Sequence, residues 1–168
     1  MNWFSILVLL AIVAVSAVWM PRILAVFAGT PLLRICGAIL FVASVFVAFT
    51  AIGGGVTLAT GMDKFPAEWL TGTPFRSYLI PGLILAVVVG GSAAAAAMTM
   101  LRKSSNGTIV SILAGGILLG WLLGERVILP PVAFVPQFWW LESGYIVIGL
   151  MMVVPALVVR FAEHTRPR

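Results

Sequence analysis

Residues 109–129 read IVSILAGGILLGWLLGERVIL, with no charge before Glu125. An apolar run of about 20 residues is what a helix needs to cross the roughly 30 Å hydrocarbon core of a bilayer. Similar runs occupy residues 3–20, 35–58, 80–101 and 142–161. The sequence therefore predicts an all-α polytopic membrane bundle of about five transmembrane helices, one integral domain over residues 1–168, with outer loops at 59–79 and 130–141. Composition agrees: 62% of residues are apolar, 9% are charged and the mean hydropathy is +1.17, against about 45–50% apolar and about 25% charged in soluble domains. The spans leave no room for a separate soluble domain, so functional groups must sit on helices or in short connections.

Local signals set the expected boundaries. The first span should stop at Pro21-Arg22, because proline removes a helical hydrogen bond and clashes with the preceding turn. A cleaved signal peptide is the competing reading, but no basic segment precedes Trp3 and no A-x-A site follows the apolar run. Ile23 to Leu33 reads as an interfacial connector between Arg22 and Arg34. Gly53-Gly54-Gly55 should thin or bend the second span, or mark where another backbone packs close. Pro81 suits the first turn of the third span, Arg102 to Thr108 reads as a turn, and Pro155 as a kink in the last span.

Charge sets orientation. Arg22, Arg34, Arg102, Lys103, Arg160, Arg166 and Arg168, seven of the ten basic residues, fall on one side of this topology, and Lys64, Arg76 and Arg126 on the other. The positive-inside rule puts the richer side in the cytoplasm, hence the N-terminus outside and the C-terminus cytoplasmic. Trp69, Trp121, Trp139 and Trp140 then gather at the outer boundary, as an aromatic belt.

Two small-residue ridges stand out: Gly82, Ala86, Gly90 and Ala94 on the third span, and Gly116, Gly120 and Gly124 on the fourth. Four-residue spacing puts each set on one helix face, where small side chains allow close approach in lipid. They point to helix packing, with the third and fourth spans as antiparallel neighbours, or to a partner interface. The outer face also collects a polar set, Asp63, Glu68, Arg76, Glu125, Arg126, Gln137 and Glu142. Two of its carboxylates could perform acid–base work if they converged; otherwise these are solvated or paired boundary residues.

The absences narrow the field. No Asp, Glu, Lys or Arg is expected mid-membrane, which argues against a proton relay, a voltage sensor or an ion-coupled pump built from this chain alone. His164 in the tail is the sole histidine and Cys36 the sole cysteine, so no metal site, haem ligand or Ser-His triad is expected, and Cys36 reads as a small packing residue. No phosphate-loop or dinucleotide fingerprint occurs and no basic, aromatic-interleaved run suggests nucleic acid. No catalytic residue and no cofactor are assigned.

The segment Trp69-Leu-Thr-Gly-Thr-Pro74-Phe75-Arg76-Ser77-Tyr78-Leu-Ile-Pro81-Gly82-Leu, followed by Gly120-Trp121 and Gln137-Phe138-Trp139, resembles a group of small bacterial polytopic membrane proteins sharing a TPF-x-SY-x-x-PG loop-to-helix motif. The resemblance covers about residues 35–152, with the first span as an addition to a four-helix pattern. It implies a bacterial membrane protein of this fold and brings no established activity.

The leading expectation is a non-enzymatic accessory or interaction subunit in a bacterial cytoplasmic membrane. Its partners would be the lipid bilayer, another membrane protein or further copies of itself, and it would bind that partner, lipid or a hydrophobic small molecule. An outer-face enzyme using Asp63, Glu68, Glu125 or Glu142 on a lipid-linked substrate is the alternative. An oligomeric transporter or facilitator is another, and would need a polar stripe, for which Ser44, Thr50, Thr57 and Thr60 are the candidates.

Overall fold

The computed structural model describes residues 3–26, 30–62, 65–102, 104, 106–129 and 139–164. The described residues form helices and no strands: α1 (Trp3–Val26), α2 (Pro31–Thr60), α3 (Leu79–Leu101), α4 (Gly107–Ile128) and α5 (Trp139–His164). A single 3₁₀ turn, Ala67–Leu70, interrupts the connection between α2 and α3. Among the described residues, α2 to α5 are long and apolar enough to cross a membrane.

Helix α2 is central. In its most apolar stretch 56% of residues are buried inside the protein, against 22–39% for α3, α4 and α5. One core layer joins Val47 and Ala51 of α2 to Val89 and Ala93 of α3, Ala114 and Leu118 of α4 and Met152 of α5. A second joins Ile12 and Ile23 of α1 to Leu40 and Phe41 of α2, Met100 of α3 and Ala156 of α5. Helix α1 thus caps the end of the bundle where α2 begins and α3 finishes.

One expected boundary moves, and the glycine triplet marks a close backbone approach without ending its helix. Helix α1 does not stop at Pro21 but continues to Val26. Ile23, two residues past the proline, is fully enclosed against Leu40 and Phe41, so continuing the helix buries a large side chain that a break would release. The glycine triplet does not interrupt α2, which runs on to Thr60 and ends at Gly61, where φ is +69°. There Met62 N–H donates to Thr57 O at 3.1 Å, the αL closure that glycine allows at low cost. Helix α5 likewise runs through Pro155, and Cys36 is buried on α2.

Glycines position the helices. A Cβ at Gly55 would lie 2.5 Å from Gly82 O, and one at Gly82 would lie 2.6 Å from Gly55 O and from Ala59 N. A Cβ at Gly90 would lie 2.5 Å from Ile52 Cγ1. Helices α2 and α3 are therefore antiparallel, and the ridge of Gly82, Ala86 and Gly90 faces α2; Ala94 of the same ridge packs against the first core layer. Residues Ile84–Gly90 form a π-helical stretch. In a plain α-helix, positions eight apart drift by about 80° around the axis; the wider π turns reduce that drift and hold Gly82 and Gly90 on one line against α2.

Helices α4 and α5 cross at a different pair. A Cβ at Gly115 would lie 3.0 Å from Gly149 O and 2.8 Å from Val153 Cγ2, and one at Gly149 would lie 2.7 Å from Leu119 Cδ2. Helices α3 and α4 are antiparallel neighbours, as expected, but meet at Met100, Gly107 and Ser111 and not through the two ridges. Gly116, Gly120 and Gly124 have nothing within 4 Å of an added Cβ.

These contacts predict opposite outcomes for one substitution. Gly55→Ala or Gly82→Ala should destabilise the detergent-solubilised protein by about 1–3 kcal/mol through overpacking. Gly116→Ala or Gly120→Ala should leave it unchanged or more stable by up to about 1 kcal/mol. Thermal unfolding in one detergent checks both, and similar losses at all four positions would contradict the assigned crossing.

Candidate functional site

The antiparallel arrangement gathers the end of α2, the start of α3, the end of α4 and the start of α5 at one end of the bundle. The expected outer polar set divides there. Asp63 and Gln137 lie outside the described residues. The rest form two groups, and no hydrogen bond or ion pair among the described residues links them.

The first group spans α4 and α5. Arg126 donates to Glu142 through both Nε, at 2.5 Å to Oε1, and Nη2, at 2.7 Å to Oε2. This planar, two-pronged pair locks the orientation of the two helix ends. Glu125 sits beside it, half-buried, one turn after Trp121 on α4. Glu125 and Glu142 are thus brought near each other, but Glu142 is committed to Arg126. Two-carboxylate catalysis requires both groups to reach a substrate, and in this arrangement Glu125 forms no ion pair among the described residues.

The second group is the α2–α3 connection, where the TPF-x-SY motif acquires a structural account. Thr73 Oγ1 donates to Leu70 O at 2.8 Å and accepts from Phe75 N–H at 3.3 Å, turning the chain around Pro74. Gly72, with φ +83°, supplies the left-handed conformation just before it. Tyr78 Oη reaches back twelve residues to donate to Pro66 O at 2.7 Å. Phe65 stacks between Trp69 and Tyr78, with ring centroids 5.8 and 5.7 Å away. Burial raises the Tyr78 pKa from the ordinary tyrosine value, which extends the hydrogen-bonding neutral phenol to higher pH.

This knot encloses an open cleft of about 480 Å³, lined by Leu58 and Thr60 of α2, by Phe65 and Leu70, and by Arg76, Ser77 and Tyr78 among others. Arg76 is exposed within it, whereas Glu68, exposed on the 3₁₀ turn, is not part of its wall.

The hydroxyls proposed for a polar stripe on α2 have other engagements. Thr50, Thr57 and Thr60 donate to carbonyls of their own helix at 2.8, 2.9 and 2.7 Å. Ser44 is fully buried without a partner. Such inward-bonded groups do not make a continuous polar path.

The sequence reading singled out Gly116 and passed over its neighbour Gly115, which makes the α4–α5 contact. The signal was the set Gly107, Ser111, Ala114, Gly115 and Leu118, a helical-spaced face of mainly small residues that is buried in the fold. The cleft and the Tyr78–Pro66 tie span a loop, and no helical or strand periodicity marks them. Compared with protein-family models, with curated proteins and with solved structures, the chain matches none.

Removing the phenol should loosen this loop. Tyr78→Phe is expected to speed amide exchange over residues 65–70 at neutral pH while leaving the helices protected. Because the folded pKa is raised, the contribution of Tyr78 is complete at neutral pH and is lost as pH rises through that raised value. In a Tyr145→Phe background, tyrosinate absorbance should therefore develop above the ordinary tyrosine range; development at or below it would contradict the assigned burial.

Proposed function

We propose that this chain is a non-enzymatic accessory subunit of a bacterial cytoplasmic membrane, which docks a second membrane protein on the exposed face of α4. In this reading α1 joins α2 to α5 as a fifth span, with the N-terminus outside and the C-terminus in the cytoplasm. The 24-residue length of α1 and the uneven distribution of basic residues support that topology.

The observation that carries the reading is the open glycine line of α4. Gly116 and Gly120 are exposed and Gly124 half-exposed, and among the described residues no side chain lies over them. Large apolar residues flank them, with Leu113, Leu123 and Val127 60%, 68% and 85% exposed. Exposed leucine and valine are ordinary where a helix faces lipid tails. Glycines in line provide a shallow groove, and in lipid helix association rests on such close van der Waals contact. Of the two carboxylates that approach each other, Glu142 is committed to Arg126, and the α2 hydroxyls of Thr50, Thr57 and Thr60 are bonded back onto their own helix.

Gentle extraction from the native membrane should recover wild type with a stoichiometric partner. Gly116→Leu combined with Gly120→Leu should lose that partner while keeping the wild-type thermal midpoint, since both side chains project into open space. A wild-type protein recovered as a lone chain, or a double variant that keeps its partner, would remove the basis for the docking role.

Topology has its own check. Cys36 is buried, so background labelling should be low. A membrane-impermeant maleimide should label Thr71→Cys in intact cells and reach Asn106→Cys only after lysis; the reverse pattern would invert the orientation.

A further inference from the structure

We infer that the cleft between the end of α2 and the start of α3 is a binding site for the phosphate of an anionic membrane lipid, with Arg76 and Ser77 as its polar contacts. The site lies on the opposite helix pair from the Arg126–Glu142 lock and does not depend on the docking role proposed for α4.

The argument rests on which polar groups in the cleft are already engaged. Thr60 Oγ1 donates to Val56 O at 2.7 Å and Tyr78 Oη to Pro66 O at 2.7 Å. The Arg76 guanidinium and the Ser77 hydroxyl make no hydrogen bond or ion pair among the described residues, although both line the cleft. A cation and a hydroxyl adjacent in sequence, both without partners, in an otherwise largely apolar wall suit a tetrahedral oxyanion.

The surroundings select a lipid as its carrier. The cleft opens where two membrane-length helices end at Thr60 and begin at Leu79, the level at which headgroups lie. Val56, Leu79, Ile80 and Leu83 beside it are 47–51% exposed, a surface for the first methylenes of acyl chains. The charge selects an anionic headgroup over a zwitterionic one. No described carboxylate lines the cleft to receive an ammonium. Phe65 lies tilted against Trp69 and Tyr78, with centroids 5.8 and 5.7 Å away, and of the three only Phe65 and Tyr78 line the cleft, too few rings to surround a quaternary amine.

The test is native mass spectrometry of the full chain released from micelles that contain equal amounts of phosphatidylglycerol and phosphatidylcholine. Wild type is expected to retain one phosphatidylglycerol in preference to phosphatidylcholine. Arg76→Gln should weaken that retention by about tenfold or more, the loss expected for one charge-assisted contact. Arg76→Lys should recover part of it, and Arg34→Gln, at the far end of α2, should leave it unchanged. Arg76 has no partner among the described residues, so its replacement does not threaten folding. Ala67→Trp, which fills the cleft from an exposed position on its wall, should abolish retention by an independent route. Equal retention of both lipids by wild type, or full retention by Arg76→Gln or Ala67→Trp, overturns the inference. Added millimolar inorganic phosphate separates the two sources of the same chemistry. Phosphatidylglycerol that stays bound supports a lipid site, whereas displacement by phosphate alone overturns the lipid assignment.

Discussion

Helices α2 and α3 meet backbone to backbone at Gly55 and Gly82, and much of the remaining structure is set by that contact. Lipid tails are as apolar as leucine, so burying leucine against leucine gives helices little reason to associate. Close approach of two backbones gives dispersion and weak Cα–H···O contacts that lipid cannot match. At Gly55 and Gly82 a methyl group would lie 2.5–2.6 Å from backbone atoms of the opposite helix, so neither position has room for one. Fixing Gly82 so close to α2 also fixes Tyr78 one turn earlier, since Gly82 N–H is bonded to Tyr78 O at 2.9 Å. The connection from Gly61 to Tyr78 must then fold back over a short gap. The Thr73 turn, the Phe65 stack and the Tyr78–Pro66 bond accomplish this, and the cleft is what their geometry encloses.

Polar groups in this chain follow the rule that a membrane imposes. A hydroxyl in a span either bonds to its own helix or remains a liability, and Thr50, Thr57, Thr60, Thr99 and Ser111 each donate to a carbonyl three or four residues back. The single described salt bridge joins the ends of α4 and α5, where the cost of charge is lowest. Ser16, Ser44 and Thr108 are buried without a partner; Arg76 and Ser77 differ from them in that their unengaged donors are exposed at the mouth of a cleft.

The membrane-length helices could be read from the sequence because their signal is a sum over about 20 residues, which one proline or three glycines cannot reverse. That is also why the finer boundaries were misjudged. Pro21 is a strong local stop, but Ile23 gains a buried position by continuing the helix, and tertiary burial outweighs the local penalty. The glycine triplet was legible as a close approach and illegible as to its partner, because spacing along one helix does not say which neighbour it faces. The same limit applies at Gly115 and Gly116. Four-residue regularity favours Gly116, while the buried face runs through Gly115, and adjacent residues on a helix point about 100° apart. In the loop, the motif could be seen but its tie to Pro66 depends on the path of the eleven intervening residues, which carry no helical or strand periodicity.

That two neighbouring glycines serve different faces bears on why α4 carries so many. Gly115 is required by Gly149 and Val153 across the crossing. Gly116, Gly120 and Gly124 are required by nothing among the described residues. Each costs about 1 kcal/mol of helix stability relative to alanine, and each gives lipid less contact than leucine would. Three such positions in line therefore weaken α4 without any return from contacts among the described residues. A second helix lying in the groove would offset that cost through the same backbone contact that Gly55 and Gly82 make inside the bundle. The internal crossing thus serves as the physical precedent for the docking proposed on the outer one.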